Sequence, residues 1–388
     1  MADSPLNGSL AENIGSSAFA FRGYNVTNLG RSQEMLAHPA YGPILRKHLV
    51  RASEVCAAAI EREVDLVVRV RRGRNPTLRS YPQALSLIVA VELAHIEILE
   101  TFFEVKFTDA QLALGYSLGE VTALIAAGVF TLEAALTPLL ILGQDAAELA
   151  STTRMGVIFS RGPALDVEAI ERLCVSITSE GKGTIGISTY LSPNTLLLMG
   201  QRRTIDRFKK IMHEELPKPT HLKKNPNRWP PIHTSITRQR NISDRAGVML
   251  ETANGGFTAP TLPILSCITG EESYHNYNAR EHMTRWVDHP QKLWDCIDTL
   301  LARGVETVIH VGPEPNLIPA TLTRLANNVL TQMSAKSLTG MGLRAMSQIV
   351  RRSHPWLTNL ISSDATLLRA PFVQQIVLED WLLEQDVK

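Results

Sequence analysis

The sequence predicts an α/β protein in which a larger unit with a parallel sheet carries a smaller, inserted α+β unit. Continuously apolar segments such as PILSCITG and TVIHVGP are typical of buried parallel strands, and segments with helical periodicity lie near them. From Met155 to His213, strand-like and helix-like segments alternate at short intervals. This alternation is typical of a compact α+β unit.

The predicted elements of the larger unit follow a polar N-terminal segment. Residues 1–17 lack the basic start and the apolar run of a signal peptide, and we expect them to form a loose tail. SAFAFRGYN predicts a strand and a turn, and a polar helical region follows to about Arg74. Residues 81–103 predict a helix, and QLALGYSLGEVTALIAAGV predicts a strand, a glycine-flanked turn and another helix.

The smaller unit is predicted to contain the strands MGVIFSRG, TIGISTY and TLLLMG, with helices near residues 167–176 and 203–213. It ends in the connector LPKPTHLKKNPNRWPP, in which we expect no regular structure because of its prolines. The chain then returns to the larger unit through PILSCITG, a helix near residues 294–303, and TVIHVGP.

Composition and charge exclude several classes of protein. The chain is 44% hydrophobic and 20% charged, as soluble globular proteins are. Its 39 basic and 38 acidic residues give no footprint of a nucleic-acid-binding protein. The most apolar segment, Leu85 to Leu99, is interrupted by Glu92, His95 and Glu97 and is too short to span a bilayer. We therefore expect a protein without nucleic-acid or membrane partners.

The cysteine pattern argues against a metal centre and against a disulfide framework. Cys56, Cys174, Cys267 and Cys296 lie far apart, without a C-x-x-C pair or a neighbouring histidine cluster. The sequence therefore predicts no metal site, and we expect a cytoplasmic protein because a reducing compartment fits this pattern best.

The pentapeptide GYSLG, residues 115–119, is the strongest candidate for chemistry. It is a G-x-S-x-G pattern that follows an apolar run and precedes a helix, which is the context of a nucleophile elbow. The two glycines permit a strained turn, and the helix N-terminus after Ser117 supplies backbone N–H groups for an oxyanion. A chance Gly-Ser turn is the alternative explanation of so short a pattern.

A serine nucleophile at neutral pH needs a base, and histidine is the usual one. His233 follows the rigid segment WPPI and lies beside the predicted boundary between the two units, where clefts tend to form. His310, within TVIHVGP, is the rival. A buried histidine bound to a backbone carbonyl is the simpler interpretation of that position, so the residues favour His233 modestly.

Several motifs in the same order resemble those of one enzyme family. The similarity is to malonyl-CoA:acyl-carrier-protein transacylases and to the acyltransferase domains of polyketide synthases, and it covers roughly Ala18 to Asn327. The matching segments are the helix, elbow and helix of residues 81–129, FRGYN (21–25) at the family's F-P-G-Q-G loop, SPN (192–194) at its small-subdomain turn, PPIHT (230–234) at its histidine motif and VGP (311–313) at its late turn.

The resemblance implies an α/β-hydrolase-like large domain with a parallel sheet and an inserted ferredoxin-like small α+β domain. It assigns residues 18–152 and 229–330 to the large acyltransferase domain and residues 153–228 to the small domain. Residues 1–17 remain the loose tail. Residues 331–388 lie beyond the resemblance, and we expect them to form a helical C-terminal extension.

The resemblance also implies ping-pong acyl transfer between thioesters, without a metal or bound cofactor. Ser117 would attack the thioester, and His233 would accept its proton and later activate the incoming thiol. Backbone N–H groups of Leu118 and Tyr24 would form the oxyanion hole, and a main-chain carbonyl near Trp286 would orient the histidine. The substrates would be CoA or 4'-phosphopantetheine thioesters and the partners acyl-CoA and an acyl carrier protein, in fatty-acid or polyketide biosynthesis.

The acyl pocket departs from that of dicarboxylate-specific members of the family. Those members clamp the free carboxylate with an arginine in the helix after the elbow, and Leu142 stands at that position. Tyr116 and Ile232 also differ, and we expect all three residues to touch the acyl pocket. Because an unpaired buried carboxylate is costly, the sequence predicts an acyl group without a second carboxylate. The candidates for a displaced cation are Arg154, Arg161 and Arg285.

A cluster of basic residues lies in the last part of the predicted small domain. Its members form either a solvated face or a docking site for an acidic carrier protein or for CoA phosphates. The docking candidates are Arg203, Arg207, Lys210, Lys224 and Arg228.

Two alternatives to acyl transfer stay open. The same serine and histidine would serve an acyl-thioester hydrolase that releases the acid to water. The second alternative is a non-catalytic scaffold that binds a carrier protein, and the altered loop at Tyr24 and Asn25 is consistent with it.

Overall fold

The computed structural model describes residues 10–161, 164–216, 220–339 and 365–387, and its elements are numbered here in chain order. The strands are β1 (Ser17–Phe21), β2 (Leu112–Gly115), β3 (Thr153–Ser160), β4 (Ile185–Ser192), β5 (Thr195–Gln201), β6 (Thr220–Lys224), β7 (Ile264–Leu265), β8 (Thr307–Val311) and β9 (Gln374–Val377). The helices are α1 (Ser32–Ala37), α2 (Tyr41–Ile60), α3 (Leu66–Arg71), α4 (Tyr81–Phe103), α5 (Leu118–Ala126), α6 (Leu132–Leu149), α7 (Val167–Ser179), α8 (Thr204–Glu215), α9 (Ile242–Glu251), α10 (Ala279–Asp288), α11 (Leu293–Ala302), α12 (Leu317–Thr339) and α13 (Leu378–Leu383).

The larger sheet is parallel throughout, with the strand order β7-β2-β1-β8-β9. Every residue of β1, β2 and β8 is buried, because helices cover both faces of the sheet. Phe19 and Phe21 of β1 belong to the core formed with α2, α4, α5 and α6. Ala18 and Ala20 belong to the core formed with α11 and α12 on the opposite face.

The smaller sheet is antiparallel, with the strand order β4-β5-β3-β6. With α7 before β4 and α8 before β6, the chain follows the β-α-β-β-α-β order of ferredoxin-like folds. Ile170 and Ile177 of α7 and Phe208 and Met212 of α8 share one core with this sheet. The predicted fold class, a parallel α/β unit with an inserted ferredoxin-like unit, is therefore confirmed. The domain boundaries stay a prediction.

Two segments differ from the expected local structure through added strands. β6 lies inside the connector for which no regular structure was expected, because Thr220–Lys224 fall between its prolines and complete the edge of the smaller sheet. Residues 340–364 of the C-terminal extension, which was expected to be helical, lie outside the described residues, and its described part contributes β9 to the larger sheet. β9 pairs with β8, and Ile376 is buried in the main core.

The N-terminal segment also differs from expectation where it is described. Residues 1–9 of the predicted loose tail lie outside the described residues. Leu10 and Ile14 are buried in the main core, so this part of the segment is packed because of its apolar side chains.

The described residues include no helix that is both long enough and apolar enough to cross a membrane. Within the same ranges, no group of three or more potential metal-ligating side chains comes together. All four cysteines are buried and free.

Candidate active site

Ser117 lies at the sharp turn between β2 and α5, in a conformation that few residues adopt. Its φ of 55° and ψ of −115° fall outside the regions that non-glycine residues favour. Such a conformation costs on the order of 1–3 kcal/mol. Close packing requires both flanking glycines, because a Cβ on Gly115 would overlap the backbone N of Glu120 and a Cβ on Gly119 would overlap the carbonyl of Phe21.

The hydroxyl of Ser117 meets the imidazole of His233. Ser117 Oγ lies 2.7 Å from His233 Nε2. The ring of His233 is buried, and burial lowers its pKa to about 4 against the opposing effect of its hydrogen bond to the Trp286 carbonyl. The imidazole is therefore uncharged at neutral pH, and its Nε2 can accept the serine proton.

Trp286 in α10 contacts both the serine and the histidine. Its main-chain carbonyl accepts a hydrogen bond from His233 Nδ1 at 2.7 Å, which leaves Nε2 as the acceptor. Its indole Nε1 donates to the carbonyl of Ser117 at 3.0 Å. The indole and imidazole rings meet edge to face, with centroids 4.8 Å apart. One residue thus fixes the tautomer of the base and the backbone of the serine.

The two predicted oxyanion donors have free N–H groups. Leu118 is the first residue of α5, and neither its N–H nor that of Tyr24 donates a hydrogen bond to another described residue. Gly23 brings the loop after β1 close to the elbow, since a Cβ on Gly23 would lie 3.3 Å from the Cβ of Ser117. Both N–H groups are therefore available to a ligand of Ser117.

The loop after β1 is fixed by the buried side chain of Arg22. Its guanidinium donates hydrogen bonds to the carbonyls of Gly23 and Pro313 and to Asn28 Oδ1. The main-chain N–H of Arg22 donates to Glu92 Oε1 at 2.8 Å. Burial lowers the pKa of Arg22 to about 10 and raises that of Glu92 to about 8. These bonds hold the loop against the turn that follows β8.

A cavity of about 370 Å³ has Ser117 and His233 in its wall. Tyr24, Tyr81 and Trp229 form an aromatic cluster there, with ring centroids 4.8 Å apart for the two tyrosines and 5.9 Å apart for Tyr24 and Trp229. Besides Tyr116 and Ile232, the remaining apolar lining residues are Met155, Val157, Leu191, Leu197, Met199, Pro230, Pro315 and Leu317.

Two of the three residues predicted for the acyl pocket lie at this cavity. Tyr116 and Ile232 line it. Leu142 does not line it, and its side chain is buried in the main core. At the next position of α6, a Cβ on Gly143 would lie 3.5 Å from the ring of Tyr81, which itself lines the cavity. The aromatic ring of Tyr81 therefore lies between this part of α6 and the cavity.

The arginines considered for a displaced cation lie elsewhere. Arg154, Arg161 and Arg285 do not line the cavity, whereas Arg324 of α12 does. Among the described residues, Arg324 is the lining residue with a permanent charge, and its side chain is exposed. It also lines a neighbouring cavity of about 170 Å³.

The predicted docking residues fall into two groups, and none of them lines the cavity that holds Ser117. Three line an open groove beside α8, where Arg207 is paired with Glu180 at 2.8 Å, and the other two lie outside that groove and contact neighbouring groups. Docking stays a prediction for all five. The groove residues are Arg203, Arg207 and Lys210, and the other two are Lys224, 2.6 Å from Asp206, and Arg228, 3.1 Å from the carbonyl of Thr153.

His310, the rival base, lies in the interior of the larger sheet. It is buried in β8, and its Nε2 lies 3.2 Å from Gln375 Oε1 of β9. Burial lowers its pKa to about 4. His310 does not line the cavity that contains Ser117.

Tyr81, Gln291 and Arg324 reach the site without having been predicted from the sequence. Tyr81 and Arg324 line the cavity, and Gln291 Oε1 accepts a hydrogen bond from the N–H of Ser117 at 3.2 Å. None of the three stands in a recognised motif. The only available signal was the position of Tyr81 at the start of the helix that resembles the family.

No family model matches the chain, but comparison with known proteins gives distant relatives that are transacylases or polyketide synthases. The chain is 24% identical over 220 residues to a malonyl CoA-acyl carrier protein transacylase of Bacillus subtilis, which covers 55% of this chain and 51% of that protein. It is 23% identical over 330 residues to the Salmonella typhimurium protein of the same name, which covers 83% of this chain and 95% of that protein. The match thus spans about half of the first relative and nearly all of the second.

A solved structure extends the likeness to the fold. It is a type II polyketide-synthase acyl-carrier protein in complex with its malonyl-transacylase, with a TM-score of 0.61, 19% identity and coverage of 79% of this chain and 91% of that chain. The fold is therefore that of an α/β acyltransferase. In particular, it is the fold of the malonyl-CoA:acyl-carrier-protein transacylases, and the resemblance predicted from the motifs is confirmed.

Proposed function

We propose that this chain is a serine-dependent acyltransferase that moves an acyl group between CoA or acyl-carrier-protein thioesters in fatty-acid or polyketide-type biosynthesis. The observation that carries the proposal is the 2.7 Å contact of Ser117 Oγ with His233 Nε2 in a cavity wall, with the Trp286 carbonyl on the other ring nitrogen. Similarity to proteins named malonyl CoA-acyl carrier protein transacylases supports thioesters as the substrate class.

In the first half-reaction, Ser117 Oγ attacks the thioester carbonyl while His233 Nε2 takes the hydroxyl proton. The free N–H groups of Leu118 and Tyr24 stabilise the negative charge on the former carbonyl oxygen. Collapse of the tetrahedral intermediate breaks the carbon–sulfur bond, and His233 gives the proton to the departing thiolate. The products are acyl-Ser117 and a free thiol.

In the second half-reaction, an incoming phosphopantetheine thiol gives its proton to His233, and its sulfur attacks the acyl ester. The Ser117 oxygen then leaves and takes the proton back. Because burial keeps His233 uncharged at neutral pH, the imidazole begins each half-reaction as a base. Water in place of the thiol would make the same site a hydrolase.

We further propose that the transferred acyl group lacks a second carboxylate. Tyrosine, tryptophan, methionine and aliphatic side chains make up most of the cavity wall, and Arg324 is its only permanently charged side chain within the described residues. An unpaired carboxylate buried there would cost several kcal/mol on the order-of-magnitude scale for buried ions. The aromatic and aliphatic wall supports this proposal, whereas Leu142 does not, since it lies outside the cavity.

Arg324 marks the route that we assign to the pantetheine arm of the thioester. Leu191, Thr195, Leu317 and Arg324 line both the larger cavity and the neighbouring smaller one. The two cavities therefore adjoin between the β4–β5 turn and α12. The exposed guanidinium of Arg324 is available there to a phosphate of the arm.

Intact-protein mass spectrometry after incubation with a panel of acyl-CoAs tests the proposed function. Acetyl-, butyryl- and longer acyl-CoAs are expected to add one acyl group at Ser117 faster than malonyl-CoA does. Ser117→Ala should take up no acyl group while keeping its fold, because the hydroxyl projects from a turn and fills no core. Acylation of Ser117→Ala would contradict the mechanism. Preferential malonyl loading would contradict the acyl class and implicate Arg324.

The purified acyl-enzyme then separates transfer from hydrolysis. Incubation with a holo acyl carrier protein should discharge Ser117, whereas buffer alone should leave the ester in place. Fast release into buffer would identify a hydrolase. A chain that forms no acyl-enzyme with any thioester but retains a carrier protein would be a non-catalytic scaffold.

A further inference from the structure

Both main-chain polar groups of Ser117 are held by side chains from residues 286–291. Gln291 Oε1 accepts a hydrogen bond from the Ser117 N–H at 3.2 Å, and Trp286 Nε1 donates to the Ser117 carbonyl at 3.0 Å. The carbonyl also accepts from the N–H of Glu120 at 3.0 Å. Among the described residues, Gln291 is the sole partner of the Ser117 N–H.

Gln291 is wholly buried and fixed on both sides by main-chain bonds. Its side chain is 0% exposed. Its N–H donates to the carbonyl of Ser188 at 2.9 Å, and its carbonyl accepts from the N–H of Tyr190 at 2.8 Å, so the residue is bound to β4 of the smaller sheet. Ser117 therefore rests against a group that the smaller sheet holds in place.

The buried amide of Gln291 carries a cost in stability. Its Nε2 is buried and has no hydrogen-bond partner among the described residues. A buried donor in that state costs about 1–3 kcal/mol, and a methionine or leucine of similar volume would avoid it. Since the Ser117 N–H is a donor, the atom that faces it is Oε1, because the opposite amide orientation would place two donors together.

The contact matters because the conformation of Ser117 is strained. With φ of 55° and ψ of −115°, the turn would relax if its polar groups were not held. Relaxation would move Oγ away from the Nε2 of His233, and a misplacement of about 1 Å at a reacting atom is enough to lower a rate on the order of 100-fold. The hydrogen bond from Ser117 to Gln291 opposes that movement.

We propose that Gln291 is a positioning residue that holds Ser117 in its attacking conformation and ties the elbow to β4. The inference rests on the proposed function of Ser117. Gln291 does not line the cavity, so it acts through Ser117 and not through contact with the acyl group. β4 reaches the elbow a second time through Thr189 Oγ1, which lies 3.0 Å from the hydroxyl of Tyr116.

The substitution Gln291→Met tests this role, since methionine keeps the length of the side chain and removes the acceptor. The first readout is the rate at which a fluorophosphonate probe labels Ser117, which requires no acyl donor. The second is single-turnover acylation by the acyl-CoA that loads fastest. We expect both limiting rates to fall on the order of 10–100-fold, with the half-saturating acyl-CoA concentration changed less than about twofold.

Gln201→Met is the matched control. Gln201 is also buried, and its amide contacts Gln239 away from Ser117. This control should lower the melting temperature and leave the labelling rate of the folded protein unchanged. A folded Gln291→Met protein that is labelled at the wild-type rate would overturn the proposal. A wild-type protein that is not labelled at Ser117 would instead overturn the proposed function.

Hydrogen exchange in the wild-type protein decides the question if Gln291→Met fails to fold. The amide hydrogen of Ser117 should exchange slowly, since its release requires local opening of the elbow. Exchange at the rate of an unprotected amide would show that Gln291 does not hold it and would overturn the proposal.

Discussion

His233 combines a left-handed backbone with a buried ring, and its neighbours account for both features. Its φ of 68° is held by a hydrogen bond from its N–H to the carbonyl of Val287 at 2.8 Å. Its ring lies between the Ser117 hydroxyl and the Trp286 carbonyl. The protonation state of the base therefore depends on burial at this one position.

Acylation of Ser117 should persist well below the pH at which a free histidine becomes protonated. Burial lowers the pKa of His233 from its ordinary value of 6.5 to about 4, so the neutral base remains at pH 5 and the rate should fall as the pH drops through about 4. Single-turnover acylation between pH 4 and 8 measures this. A midpoint near 6.5 would show that the ring is not desolvated in the working enzyme.

The same pKa shift determines how that measurement must be corrected. Because the folded chain holds His233 neutral, the unfolded chain binds the proton more readily below pH 6.5. His233 therefore contributes a loss of stability as the pH falls from 6.5 toward 4. Each rate should be divided by the folded fraction measured at that pH by circular dichroism.

At the scale of residues, the site residues that stand in sequence motifs could be predicted. The site residues that reach the motifs only through folding could not. Ser117 and His233 were predicted and lie 2.7 Å apart, 116 positions apart in sequence. For Trp286, only the role of its main-chain carbonyl in orienting the histidine was predicted. The hydrogen bond from its indole to the carbonyl of Ser117 was not predicted. Gln291 carries no local signal, because its amide has a role only once the chain has folded.

At the scale of elements, the turn between β2 and α5 depends on the absence of side chains at its glycines. Gly119→Ala should destabilise the protein by about 2 kcal/mol or more, since the new Cβ would overlap the main-chain carbonyl of Phe21, which cannot move aside. Urea denaturation measures the loss, and fluorophosphonate labelling of Ser117 reports whether the elbow survives.

Gly186→Ala in β4 provides the control for this substitution. A Cβ at Gly186 meets nothing within 4 Å, so the free energy of unfolding should change by no more than about 0.5 kcal/mol. Equal stabilities of the two variants would contradict the close approach of α5 to β1.

Elements with strong apolar signals were predictable, including the short edge strand β7, whereas the polar edge strands β6 and β9 were not. β1, β2 and β8 are buried on both faces, so their sequences are apolar throughout. β6 and β9 are edge strands of five and four residues, with three exposed polar residues in β6 and one in β9. Their identity as strands depends on pairing with β3 and β8, and THLKK and QQIV alone do not indicate that pairing.

At the scale of the whole molecule, Glu379 of α13 joins distant parts of the chain. Its carboxylate is buried and accepts hydrogen bonds from the N–H groups of Arg31 at 2.8 Å and Glu314 at 2.9 Å. Burial raises its pKa to about 7. The loops that follow β1 and β8 are therefore held together from the C-terminal segment.

Glu379→Ala should lower the free energy of unfolding by about 2–4 kcal/mol, because two N–H groups lose their acceptor. The folded pKa of Glu379 lies above the ordinary value, so its contribution is greatest below pH 4.5 and declines as the pH rises through about 7. In urea denaturation, the difference in the free energy of unfolding between wild type and variant should therefore become smaller from pH 5 to pH 8.

The exposed Glu384 is the control for charge and for position in the chain. Glu384→Ala should change stability by no more than about 0.5 kcal/mol at either pH. If the difference in the free energy of unfolding between wild type and Glu379→Ala grows as the pH rises, the raised pKa of the buried carboxylate is contradicted.

The strand order means that, during synthesis on the ribosome, the larger sheet can be completed only after the smaller one. The smaller sheet takes all its strands from β3 to β6 and can form while β7, β8 and β9 are still unmade. The main-chain N–H of Arg31 can bind its acceptor only after Glu379, 348 positions later, has been synthesised. The cavity wall is likewise incomplete until Leu317 and Arg324 of α12 have been added. Domains generally fold as units during synthesis. A nascent chain released before α12 would therefore carry a folded antiparallel unit beside a serine whose cavity is still incomplete.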